Sequence, residues 1–277
     1  MKAFAPFYLT LLLAVAAEAP AAIAQGQDLK EQLVKYDAIL KGKGGEQDAI
    51  AQIDAFTSRF KANLARIEGM KDDLELKQGD LKKLSEDLKA LEKEQDQLAD
   101  AVYACFVHGK RKEINQPNLL MWKAGSFALG QMGERGAVRL WRIFEDKKFK
   151  KEIDFLGLVL EQVGSTDHWA SAEALTDLLD HHEYFFIAKA AEALAMFNDA
   201  PGSLRRSVVE RLVKLYAQYS EDAESNQQDQ EKQEKFRKTS GSMAKALEAL
   251  TGTQQRTPTD WNTWFNNHKT DKAVWGE

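Results

Sequence analysis

The chain has 277 residues, 44% hydrophobic and 29% charged, with 43 acidic against 38 basic side chains and a net charge of −5. That apolar content supplies a sizeable core, and a mildly acidic, mixed-sign surface excludes nucleic acid as the main ligand. A single cysteine, Cys105, excludes an intrachain disulfide framework.

The first residues, "MKAFAPFYLTLLLAVAAEAPAAIAQGQ", place Lys2 before an apolar run from Phe7 to Ala17, and Ala22-Ile23-Ala24 before Gln25. A charged start, a short apolar core and small residues at a cleavage point predict a secretory signal over 1–24. The run is shorter than the roughly 20 residues a membrane span needs, and Glu18 interrupts it. The expectation is an exported protein, periplasmic or extracellular, with no membrane span. Residues 25–47 then read as a short amphipathic helix, with Leu29, Leu33, Tyr36 and Leu40 at helical spacing before the stop "GKGG".

From Ile53 to Cys105 a heptad register runs unbroken. The a positions are Ile53, Phe60, Ile67, Leu74, Leu81, Leu88, Gln95 and Val102; the d positions are Phe56, Asn63, Met70, Lys77, Leu84, Leu91, Leu98 and Cys105. All but Gln95, Asn63 and Lys77 are apolar, which predicts a coiled-coil helix over 48–112, roughly 80 Å long if continuous. Gly69 and Gly79 weaken it locally, as a bend or a hairpin turn, and the continuous helix is the expected form. So long a stripe needs a partner, and self-association into a homodimer is expected to cover it. Along the g positions, Arg59 and Arg66 precede Asp73, Asp80, Asp87 and Glu94, a bias toward antiparallel pairing. Cys105 at a d layer is a buried thiol or, in a parallel pair, an interchain disulfide.

After "HGKRKEINQP" the periodicity changes. "GSFALGQMG", "GLVLEQVG", "AAEALAMFN" and "AKALEALTG" each place small residues before a leucine (Leu129, Leu160, Leu194, Leu247), with stops expected at Gly133, Gly164, Asn198 and Gly252. A unit of thirty-odd residues with two helices each is the pattern of an alpha-solenoid. "ERGAVRLWRIFEDKKF", "DHWASAEALTDLLDHH" and "GSLRRSVVERLVKLYAQY" supply the second helices, and "SEDAESNQQDQEKQEK" (220–235) reads as a polar insertion. These segments resemble HEAT-like repeats, and the close of the chain resembles the end of exported bacterial HEAT-repeat proteins, where an "ALTG" helix end is followed by a "W..W" helix. In that closing helix, 258–268, Thr257 and Asp260 form a capping pattern around Pro258, and Trp261 and Trp264 share one face. Sealing the last repeat is the expected task of these tryptophans, ahead of an exposed aromatic patch.

The organisation expected is thus all-α, a long coiled-coil helix followed by a short HEAT-like alpha-solenoid over 113–277. HExxH, Gly-rich phosphate, CxxC and GxSxG patterns are absent from the sequence. HEAT-like deoxyhypusine hydroxylases hold iron with several His-Glu pairs, whereas this chain offers only His182-Glu183. No catalytic, cofactor-binding or metal residues are therefore expected. The functional expectation is a non-catalytic interaction or scaffold protein that binds a protein partner through its repeats, with an envelope-associated structural or regulatory coiled-coil protein as the alternative.

Overall fold

The computed structural model describes residues 28–43, 45–108 and 116–277, so the expected signal segment lies outside the described residues. Among these residues there are twelve α-helices and no strand. They are α1 (Leu29–Ala38, followed by a turn Ile39–Lys43 in which Gly42 takes φ 90°), α2 (Glu46–Glu75), α3 (Leu81–Val107), α4 (Gln116–Gly130), α5 (Gly133–Glu145) and α6 (Ile153–Ser165). The remainder are α7 (Ala172–Asp177), α8 (Tyr184–Leu194), α9 (Gly202–Ser225), α10 (Gln230–Thr251), α11 (Pro258–His268) and α12 (Lys272–Trp275).

The continuous heptad helix is corrected to a hairpin. Lys77 and Gly79 both take positive φ, 54° and 76°, and Asp80 starts α3 by accepting from the Lys82 and Lys83 amides at 3.2 Å each. Glycine tolerates that conformation without strain. The register that predicted a rod instead closes on itself, burying Ile53, Phe56 and Phe60 of α2 with Leu98 and Val102 of α3. A tethered antiparallel helix covers the stripe at a far higher effective concentration than a second chain. The g-row bias is realised within one molecule: Arg59 meets Glu94 at 2.6 Å. Asn63 also donates to Glu94, at 2.7 Å, and Gln95 donates to the Phe60 carbonyl at 2.9 Å. Two of the three polar heptad positions are therefore cross-hairpin locks, and the third, Lys77, is the turn.

The hairpin is also the first pair of a two-layer stack. In one layer α2, α4, α6, α8 and α10 pack in succession; on the other side α3 and α5 flank α4, α7 lies on α8, and α9 lies on α10. The four related segments fall on α4, α6, α8 and α10, and their leucines, Leu129, Leu160, Leu194 and Leu247, are fully buried. Small residues between them permit close approach. A Cβ on Gly157 would stand 2.4 Å from the Phe185 ring, and one on Gly164 would stand 2.8 Å from the Ala193 carbonyl oxygen. Gly133 and Gly252 take left-handed φ as expected, but Gly164 and Asn198 do not; past α6 it is Asp167 that does, at φ 53°. One cluster of buried side chains runs from Leu29 to Trp275, so hairpin and stack share a core.

Residues 220–235 form no separate insertion. They are the end of α9, a short turn and the start of α10, where Lys235 lies 3.8 Å from the Tyr219 ring centroid. At the far end α11 packs on α9, capped by Thr257 and Asp260, with Trp261 and Trp275 both 1% exposed. Arg205 ties this end together by donating to the carbonyls of Ala200, Leu250 and Trp275 at 2.9–3.1 Å.

Two glycines separate packing from propensity. A Cβ on Gly136 would lie 1.8 Å from the Leu129 carbonyl oxygen, whereas nothing stands within 4 Å of one on Gly69. Gly136→Ala should destabilise the protein by about 2 kcal/mol or more, through forced separation of α4 and α5. Gly69→Ala, in an exposed helix interior, should stabilise it by roughly 0.5–1 kcal/mol. Urea unfolding of the two variants checks both signs.

Candidate functional site

Helices α4 and α6 form a groove with uncovered apolar side chains beside it. Helix α4 is apolar on two faces: Met121, Trp122 and Leu129 point into the core, while Leu120 and Phe127 are 53% and 47% exposed. Across from them the start of α6 closes a groove of about 620 Å³, walled by Leu119, Phe127, Ile153 and Leu158, with Lys123 and Lys151 at its lip and Glu152 and Asp154 on the same wall. The segment that leads into α6 reads "KKFKK", Lys147 to Lys151. Its second lysine turns inward: Lys148 donates to the Phe106 carbonyl and lies 4.2 Å from the Phe149 ring centroid. Phe149 is fully buried and packs edge-on against Trp122 at 5.0 Å, so the loop is pinned and its remaining lysines fan outward at a fixed place.

On the other side of that loop lies a smaller cavity of about 340 Å³, floored by Phe144, Ile153, Leu156 and Phe186 and rimmed by Lys147, Lys150, His181 and His182. The two imidazoles stack with centroids 4.1 Å apart. His181 Nδ1 accepts from the Glu183 amide at 3.0 Å, which puts the proton of the neutral ring on Nε2. Burial, and then the neighbouring His182, hold the His181 pKa below the ordinary histidine value. His182 comes only to 3.9 Å from the Glu183 carboxylate. Among the described residues no group of three or more His, Cys, Asp or Glu is placed to hold a metal ion.

Cys105 is buried, and a Cβ on Gly125 would stand 2.9 Å from its sulfur. Trp122 Nε1–H donates to the Cys105 carbonyl at 3.1 Å, and burial pushes the thiol pKa far up. Of the two alternatives for Cys105, the structure places a buried thiol, and oxidation across two chains requires this core to open. The tryptophan pair splits in the same way. Trp261 faces the core, and the half-buried Trp264 is covered by His268, stacked at 4.8 Å, and by Trp275 at 6.1 Å. An exposed aromatic patch there is not formed.

The groove was missed in the sequence because Phe127 sits inside a segment read only for packing. The signal was present: Leu120, Lys123 and Phe127 share one face of α4, opposite Met121 and Leu129, and a helix apolar on two sides has two things to cover.

Two measurements follow from these titrating groups. The native protein should leave Cys105 unreacted with a thiol reagent at pH 8 and release one equivalent after denaturation. For His181, a folded pKa below the unfolded value of about 6.5 means its contribution is fully present above that pH and is lost as pH falls through the folded pKa. Glu145, Asp146, Lys147, Lys150, His182 and Glu183 all face it around the cavity, so the readout should be residue-specific. By NMR, His181 should titrate below about 6.5, and His181→Asn should flatten the fall in Tm between about pH 7 and 5.5.

Comparison with protein families, with curated proteins and with solved structures finds no match to this chain.

Proposed function

We propose that the protein is an exported, non-catalytic interaction protein, with a HEAT-like stack that grips a segment of a partner protein in the α4–α6 groove and a helical hairpin that mediates self-association. The observation that carries the reading is Phe127, half exposed on the wall of a groove of about 620 Å³, with exposed Leu120 on the same face of α4. Patches of this kind on soluble domains mark interaction sites. The lining sets Lys123 and Lys151 beside Glu152 and Asp154, which favours a partner segment that brings apolar anchors together with charges of both signs. Stacked helical pairs suit this task because they present side chains along a rigid surface. Export rests on the residues of the first segment, Lys2 through Ala24.

Selection of a displayed random-peptide library on the intact chain should yield ligands rich in apolar residues, with charges of both signs beside them. Their affinity should fall at least about ten-fold, or roughly 1.4 kcal/mol, in Phe127→Asp, and stay unchanged in Val138→Asp on a different helix. Ligands indifferent to Phe127→Asp would move recognition off this groove.

A further inference from the structure

We propose that the tip of the α2–α3 hairpin is a homodimer interface, in which two hairpins lie side by side, α2 of each copy against α3 of the other, as a four-helix bundle. The inference gives a geometry to the self-association named above and rests on that part of the reading alone.

Three observations converge on it. First, the apolar register outruns the stack. Beyond Ile67 on α2, and before Leu91 on α3, not one residue is buried, although Met70, Leu74, Leu81, Leu84 and Leu88 continue the pattern. Leu64, Leu76 and Leu81 are 43%, 66% and 42% exposed. A two-helix hairpin covers one side of such residues; a four-helix bundle covers the rest.

Second, the charges of the tip have opposite bias on its two helices. The last turns of α2 carry Glu68, Asp72, Asp73 and Glu75 against Lys71, and the first turns of α3 carry Lys82, Lys83 and Lys89 against Glu86 and Asp87. A two-fold axis that sets α2 beside α3 of the second copy brings acid to base twice over, as an isologous contact does. A foreign partner would need to present this same split pattern, whereas a second copy presents it by identity.

Third, these charges make no ion pairs among the described residues. Among the described residues no salt bridge involves any side chain from Glu68 to Lys89, while nearer the stack Arg59 pairs with Glu94, Arg135 with Asp96 and Arg139 with Asp100. The hairpin uses its charges where it is anchored and leaves them open where it projects.

The test is sedimentation equilibrium on the chain from Gln25 onward, over about 1 to 100 μM. The expected result is a monomer–dimer equilibrium that weakens as salt is raised. Leu76→Asp/Leu81→Asp should give a monomer throughout, with helical circular dichroism retained. Lys82→Glu/Lys83→Glu should weaken dimerisation at least ten-fold, and adding Asp72→Lys/Asp73→Lys to that chain should restore it. A wild-type monomer at the highest concentration, a dimer indifferent to the tip substitutions, or a charge swap without rescue would each overturn the proposal. Groove ligands serve as the control. Their binding by the Leu76→Asp/Leu81→Asp chain is expected to persist, so loss of the dimer and loss of groove recognition are read separately.

Discussion

The structure depends on where the apolar stripe of α2 finds its cover. A helix of that length with a sustained heptad pattern has no stable existence alone, because its stability comes from burying the stripe. The chain supplies the cover itself by reversing at Lys77–Asp80, and the seam is then fixed by Glu94, which accepts from both Arg59 and Asn63. Burial alone would raise the Glu94 pKa, yet those two hydrogen bonds and the Arg59 charge hold it below the ordinary carboxylate value. A carboxylate kept ionised at a half-buried seam sets its register, since sliding one helix by a turn would strand its charge. Once α2 and α3 are closed, their base offers α4 a two-helix platform, and the stack grows from it.

Aromatic side chains pack the platform against the stack. Phe106 of α3 packs on Phe149 and Phe155 at 6.3 and 6.2 Å, and both of those rings meet Trp122 of α4. Lys148 crosses the same cluster to reach the Phe106 carbonyl. These contacts explain why Cys105, one residue before Phe106, is a core thiol. They also explain why the "KKFKK" loop, polar by composition, holds one fixed conformation: Phe149 and Lys148 anchor it from within while its other lysines stay outside. Loop residues tied down in this way are suited to recognition, because their side chains are presented without an ordering cost at the moment of binding.

What the sequence disclosed follows from what periodicity can encode. A heptad register reports that a stripe exists and nothing about which helix covers it, so rod and hairpin share one pattern through Cys105. The discriminating residues are Lys77, Gly79 and Asp80, which read singly as a polar d position, a local weakness and a g-row charge, and as a turn only together. The repeat motif was legible because Leu129, Leu160, Leu194 and Leu247 do the same work in successive pairs. Its ends were less so. The motif marks Gly164 as a helix stop, but it lies inside α6 and is small because Ala193 of α8 leaves no room for a side chain. A glycine near a helix end has two physical explanations, backbone sign and close approach, and only the neighbour decides between them. The same ambiguity hid Phe127, which stands among residues that pack inward but itself points out.

A single core running from Leu29 to Trp275 has a consequence for function. Because the base of the hairpin shares that core, the direction in which α2 and α3 leave the stack is set by packing. Two hairpins paired at their tips would therefore hold two grooves in one geometry, and a partner carrying two binding segments, or an array of identical partners, would engage both. The second engagement would be intramolecular and would gain its affinity from effective concentration rather than from new contacts. Weak, partly polar recognition at each groove would then be compatible with tight overall binding, and small apolar areas at the groove and at the tip would suffice for it.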